Sequence, residues 1–478
     1  MLMNRIRTRA LSLLKQGAPT WHGRVMRRRE AQFWSWLGAH DPDAFQRLMR
    51  PDLPEPVRAK VAQCLAASAY RQLGDPLPAT RRIDTGVLFA AALTRPDVIK
   101  EIIALKRIKP DLHCTLMTVN LSTVDALARR WIDRIVLYRD PVEFIRLMRT
   151  ARADALILKL SGGMKDFFIP ARLFFDGRLI HRPSGFITQM DGDFPWGDWP
   201  TAVGFEGEKF LTEHAEGIYH FYSPPMIDRL RRDGMRITCP TETIYPSCVR
   251  ELGPSKTLAK LSARDGEIHL VYCSGIGERG ADPAKAGEVQ LWDKWRAIVE
   301  QRVHVHFYSP VIAPHDRRLI DYQQLAKDSP YFHMEQSLTY EELLAALTQY
   351  DAALHHMDFR KRANKPEALY HMTNTVWTYV QAGLPLIVSD AMPAMVDLVS
   401  RYGVGLIVPE DAIGSMRRQL AGVDLPALQA RVRELADTEF QYPHERLWKL
   451  VFGTTANGKS AALTEDVGLV TMGGAPVS

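Results

Sequence analysis

Residues 373–390 read Thr-Asn-Thr-Val-Trp-Thr-Tyr-Val-Gln-Ala-Gly-Leu-Pro-Leu-Ile-Val-Ser-Asp, and no other stretch constrains the fold as strongly. A run with helical spacing ends at Gly383, Pro385 follows two residues later, and a short aliphatic run comes next. Glycine just past the last turn supplies a left-handed cap, and proline beyond it keeps the helix from resuming. A helix that stops this sharply and hands over to a short buried strand is the repeating joint of a parallel α/β sheet.

The same joint recurs along the chain. Short apolar runs at 85–93, 112–119, 134–138 and 155–160 alternate with helical patterns at 96–107, 122–131 and 140–149. Pro96 sits where proline suits a first helical turn, and Asp140-Pro141 reads as a cap. Between 162 and 200 the pattern dissolves into Gly, Pro, Asp and aromatic residues, and within it Asp176-Gly177 carries the signal of a tight β-hairpin. A helix at 207–215, a strand at 217–222 and a helix at 224–233 ended by Gly234 complete a first unit. Polar residues 255–266 read as a linker. A second unit alternates strands at 268–273, 304–308, 352–355, 386–389 and 404–408 with helices between them.

At 478 residues the chain exceeds a single core. The expected organisation is a helical basic extension (1–80), a first doubly wound domain (81–254), a linker (255–267), a second doubly wound domain (268–452) and a Gly/Ser/Thr-rich tail (453–478).

Composition removes several classes of function. The five cysteines are scattered and contain no Cys-x-x-Cys pair, which fits a reducing cytoplasm and leaves Cys239 and Cys248 unpaired. No run of about twenty apolar residues predicts a membrane-spanning helix. Much of the formal +6 charge lies in the first thirty residues, where Arg5, Arg7, Arg9 and Lys15 interleave with Leu2, Ile6, Leu11 and Leu14. That arm reads either as a solvated extension or as a basic amphipathic helix held peripherally at an anionic membrane. No basic-aromatic pattern points to nucleic acid. Walker, His-Glu-x-x-His and Gly-x-Ser-x-Gly motifs are all missing.

Three constellations remain. Cys273-Ser-Gly275-Ile-Gly277-Glu-Arg279-Gly follows the first strand of the second unit, where Gly275 and Gly277 let the backbone approach a ligand and Arg279 can neutralise a diphosphate. Downstream of the strand at 352–355 come His355 and His356, then Arg360, Lys361, Arg362 and Lys365, a basic loop placed to bind an anion. The two histidines lack a third ligand at suitable spacing, so no metal is expected. Thr373, Asn374 and Thr375 open the helix, whose first N–H groups form an anion site.

The segment around Gly383 resembles the donor half of GT-B glycosyltransferases, whose pattern reads "Pro-Asn-Lys-Leu-Phe-Glu-Tyr-Met-Ala-Ala-Gly-Leu-Pro-Val-Ile". Glu213-His-Ala-Glu-Gly-Ile218 followed by Ser223 is similar to a second stretch of that family. The resemblance implies two Rossmann-like domains facing a cleft. It also implies a nucleotide diphosphate-sugar as donor, with no further cofactor, and a glycan or lipid-linked acceptor in polysaccharide or cell-surface assembly. Gly275, Gly277, Arg279, Arg362, Lys365, Asn374, Thr375 and Thr378 would face the donor. Asp166, Glu206 and Glu208 are the candidate bases near the acceptor. The chain departs from the pattern where retaining members carry a glutamate pair: those positions hold Tyr370 and Thr378, and the lysine position holds Thr375. An epimerase or phosphorylase of the same architecture and a non-catalytic scaffold are the alternative readings.

Overall fold

The computed structural model describes residues 83–453 apart from 92–95, 119–125, 139–140, 160–167, 184–200, 233, 278, 280–290, 310–315, 358–369 and 371, together with Ala39, Gln46 and Arg47. The first sheet contains β1 (Asp84–Ala91), β2 (Cys114–Thr118), β3 (Arg134–Leu137), β4 (Arg152–Lys159), β5 (Arg178–His181), β6 (Gly217–His220) and β7 (Thr241–Thr243). Its spatial order is β3-β2-β1-β4-β5-β6-β7, with every pairing parallel. The second contains β8 (His269–Tyr272), β9 (His304–Tyr308), β10 (Phe332–Glu335), β11 (Ala352–His355), β12 (Leu386–Ser389) and β13 (Gly405–Val408), in the order β10-β9-β8-β11-β12-β13.

Both sheets are doubly wound, as the alternation predicts. The central strands are buried on both faces: Val87 to Ala91, all of β2, and Ala155 to Lys159. That is why they read as continuous apolar runs without alternation. In each sheet the strand order reverses once, between β1 and β4 and between β8 and β11. At such a reversal the loops leaving the carboxyl ends diverge and open a crevice.

Two sequence expectations are corrected. Asp176-Gly177 closes no hairpin: it joins the helix Phe168–Phe174 to β5, which pairs parallel to β4. Phe174 and Phe175 are drawn into the core, so the chain arrives there as a crossover helix. β10 went unrecognised because Phe-His-Met-Glu is a short, half-polar edge strand with no apolar run.

The last helix, His444–Phe452, belongs by sequence to the second unit but packs on the helix Pro96–Ile108 and on β4, β5 and β6 of the first. Leu447, Leu450 and Val451 are buried there. A short parallel bridge prepares the return, in which the Cys248 N–H donates to Phe440 O (2.8 Å) and Tyr442 N–H donates to Cys248 O (2.7 Å).

Cys114, Cys239, Cys248 and Cys273 are free thiols. The expected extension 1–80 and the tail beyond 453 lie outside the described residues, except that Arg47 donates to Leu173 O (2.9 Å) and to Asp176 Oδ1 (2.8 Å). Among the described residues no helix is long and apolar enough to cross a membrane.

Candidate functional site

The helix Asn374–Gln381 begins where the sequence places it. The Thr373 hydroxyl accepts from Val376 N–H, and the helix ends in a Schellman turn. In that turn Gly383 N–H donates to Val380 O (2.9 Å) and Leu384 N–H to Tyr379 O (3.0 Å). Gly383 has φ +76°, a conformation costly for any residue with a Cβ. The capped helix therefore holds a fixed position beside the carboxyl ends of β8 and β11.

Facing it is the loop 273–277, and hydroxyl groups tie the two together. Cys273 N–H donates to the Tyr379 hydroxyl (2.7 Å), and the Thr375 hydroxyl donates to Ser274 Oγ (3.4 Å). The Tyr272 hydroxyl donates to Gly275 O (2.8 Å), and the Tyr322 hydroxyl donates to Gly277 O (3.3 Å). Ser274 is thus held against the first turn of the helix, where backbone N–H groups and the helix dipole favour an anion, and Gly275 and Gly277 are fixed by their carbonyls in the loop that follows it. Arg279 is 44 % exposed at this edge, lies 3.6 Å over the Trp292 ring and is 3.8 Å from Asp321.

The neighbouring strand ends add a polar network. The buried His355 meets the Thr373 hydroxyl at 3.3 Å. Lys294 donates to Glu410 Oε1 (2.8 Å), which also accepts from the Ser389 hydroxyl (2.5 Å), while His356 Nε2 donates to Val408 O (2.8 Å). Glu410, Lys294 and Ser389 carried no motif, and only the strand-end rule could have found them.

A buried ion cluster joins the two halves. Asp97, in the first turn after β1, is 2 % exposed. Its Oδ2 is in ion-pair contact with Lys159, the last residue of β4, and accepts from Arg182 Nη2 just past β5 (2.8 Å) and from Asn374 Nδ2 of the second half (3.1 Å). Arg182 also pairs with buried Glu101 through Nε (2.5 Å). Burial lowers the Lys159 pKa to about 8, with the Arg182 charge acting in the same direction against Asp97 and Glu101. Burial raises the Glu101 pKa. Lys159 stands at the carboxyl end of a strand, where ligand-facing residues of such sheets gather, whereas Asp97 lies in the first turn of a helix and carries no motif.

The other expected site residues fall as follows. Thr378 is buried, and its hydroxyl donates to Asn374 O (3.2 Å) within the helix. Glu208 is fully buried and bonded to His181 Nε2 at 2.6 Å, in the interior and not at an open surface. Glu206 lies in the helix Thr201–His214. Asp166, Arg362 and Lys365 lie outside the described residues. The segment that carries Tyr370 is bound to the first half: Ser223 N–H donates to Tyr370 O (3.0 Å) and Met372 N–H to Phe221 O (3.2 Å).

A cavity of about 420 Å³ opens at the opposite, amino-terminal edge of the first sheet, beside Arg178, Glu242 and Arg446. Arg446 is paired with Glu242, and the cavity holds none of the expected site residues.

No protein-family model and no curated protein sequence matches the chain. Solved structures do. HepE of Anabaena in complex with UDP-glucose is 10% identical at TM-score 0.54, covering 77% of this chain and 97% of its own. Sucrose-phosphate synthase of Thermosynechococcus elongatus is 12% identical at TM-score 0.51, covering 74% and 95%. S. aureus MnaA with UDP is 10% identical at TM-score 0.51, covering 77% and 95%. At such identities the likeness establishes a shared fold.

Proposed function

We propose, from the premise that this chain has the GT-B architecture of two Rossmann-like domains, that it moves a sugar from a nucleotide diphosphate-sugar to a glycan or glycoconjugate acceptor. The observation that carries the reading is the pinned junction of the loop 273–277 with the first turn of the helix Asn374–Gln381. Hydroxyl groups fix both before any ligand arrives, so the N–H groups need little reorganisation to meet a diphosphate. Two solved structures that share the fold carry UDP or UDP-glucose in the complex, which is consistent with a uridine nucleotide here.

In this reading Arg279, with Arg362 and Lys365 of the basic loop, neutralises the charge that develops on the departing diphosphate. Asp166 or Glu206 takes the proton of the acceptor hydroxyl. No cofactor beyond the donor sugar-nucleotide is required. The basic arm at residues 1–30 brings the cleft to an acceptor at the cytoplasmic membrane face.

A second reading, a non-catalytic scaffold of the same fold, is favoured by Thr378, whose hydroxyl is spent inside its own helix. Calorimetric titration of the full chain with UDP, GDP, ADP and their sugars decides between them. Saturable nucleotide binding with slow hydrolysis of one nucleotide-sugar is expected. Binding without turnover supports the scaffold, and no nucleotide binding overturns both the donor site and the transferase.

A further inference from the structure

At the opposite, amino-terminal end of the second sheet lies a histidine cluster with no part in the site above. His269 on β8 stands opposite His304 on β9, and His306 stands opposite Val271 on one side and His333 of β10 on the other. With a side-chain period of two, all four rings share one face. They form a stack, with His269 and His304 4.2 Å apart and His306 and His333 4.2 Å apart. His269 and His306 are buried.

Two of these rings meet in a conflict of protons. His269 Nε2 lies 3.0 Å from Asp265 Oδ2, and His306 Nδ1 lies 2.7 Å from Glu335 Oε1. A carboxylate only accepts, so each of these nitrogens carries the proton. The remaining nitrogens, His269 Nδ1 and His306 Nε2, then point their lone pairs at each other across 2.9 Å. A neutral pair cannot satisfy that geometry. A shared proton would resolve the conflict at this distance, and a metal ion would resolve it once the two nitrogens part and turn toward a common point.

We propose that His269, His304 and His306 bind a divalent transition-metal ion of the zinc class. One ring nitrogen from each falls within 4.8 Å of the other two. Tetrahedral coordination at bonds of about 2.0–2.1 Å separates two ligand nitrogens by about 3.3 Å, so the facing pair needs to part by only about 0.4 Å. Asp265 and Glu335 already hold the far nitrogens, the carboxylate–histidine arrangement that orients metal ligands and raises their basicity. His333 meets His304 Nδ1 from 2.8 Å and steadies the third ring. Water completes the coordination.

The ion joins the first residues of β8 and β9 to Asp265, in the short helix Ser262–Asp265 that precedes β8. Its role is therefore to fasten the segment between the two halves, far along the strands from the nucleotide edge.

The test uses the purified, metal-stripped full chain. Cobalt(II) should give the intense visible absorption of a tetrahedral site at one equivalent, displaced by zinc in a competing titration. His306→Asn should abolish the band. Glu335→Gln and Asp265→Asn, which leave the three ligands in place, should weaken affinity about 10–100-fold. His444→Asn should leave it unchanged. Circular dichroism of each variant separates a loss of binding from a loss of fold, and should His306→Asn fail to fold, the two carboxylate variants carry the test. Octahedral cobalt spectra alone, or affinity unchanged in the folded variants, overturn the proposal.

Discussion

Replacing Asp97 with asparagine keeps the shape of the side chain and removes one buried negative charge. In the native chain that carboxylate is in ion-pair contact with Lys159 and accepts from Arg182 at 2.8 Å and from Asn374 at 3.1 Å. Arg182 keeps Glu101 as a partner, whereas Lys159 loses the carboxylate it touches. Breaking a buried pair by removing one partner costs about 3–5 kcal/mol, because the remaining ion stays desolvated. Asp97→Asn should therefore lower the unfolding free energy by about that amount in a urea titration, or the melting temperature by roughly 3–5 °C, since a chain of 478 residues that unfolds as a unit shifts by about 1 °C per kcal/mol. Adding Lys159→Met removes the stranded cation, so the double variant should recover part of the loss, a coupling that a mutant cycle reads directly. A single-variant loss under about 1 kcal/mol would refute the reasoning, as would a double variant worse than the sum of the two singles.

Tyr379→Phe leaves the half-buried Cys273 N–H without its acceptor, so stability should fall by about 1–3 kcal/mol and nucleotide affinity should fall with it. Equal affinity by calorimetry would remove the pinned junction from the donor site. Arg279→Ala, and separately Arg362→Ala with Lys365→Ala, should each weaken diphosphate binding by roughly 1.5–3 kcal/mol for every charge-assisted hydrogen bond that the substitution removes. Unchanged dissociation constants would move the donor elsewhere. Burial lowers Lys100 and Lys159 from 10.5 to about 8, so the unfolded chain binds more protons between those values, and stability rises with pH from about 8. Burial also raises the thiols of Cys114, Cys248 and Cys273 from 9.0 to about 12, which reverses the slope once the unfolded thiols ionise above 9.0. A urea midpoint that falls steadily from neutral pH would contradict this profile. Deleting residues 1–30 should abolish sedimentation with anionic vesicles at low salt while nucleotide binding survives; if the intact chain does not sediment, the arm is a solvated extension.

The central strands of both sheets were legible because parallel central strands are buried on both faces and read as unbroken apolar runs, whereas the polar edge strands β7 (Thr-Glu-Thr) and β10 were not. The turn at Gly383 was legible from glycine and proline placement alone, and the Schellman geometry there follows from it. Two kinds of feature were hidden. The Asp97 cluster assembles groups from the ends of β1, β4 and β5 with one from the second half, and no local spacing encodes such a meeting. The histidine cluster left a partial trace, since His304-Val305-His306 in a strand puts both rings on one face. Its remaining members lie on neighbouring strands and became visible only once the register was known. The polar edge strand β10 and the false hairpin at Asp176-Gly177 mark where local signals yielded to tertiary packing.

The return of the helix His444–Phe452 to the first sheet bears on any attempt to use the halves separately. A cut in the segment 255–267 yields two fragments, neither of which is self-sufficient. The second would carry Leu447, Leu450 and Val451 as a greasy face without its mate, and the first would expose the groove that they fill. The modular boundary is therefore not the sequence boundary. A soluble second half should stop before His444, and a stable first half needs that helix restored, by adding the peptide in trans or by a permuted chain in which residues 444–452 are spliced ahead of β1.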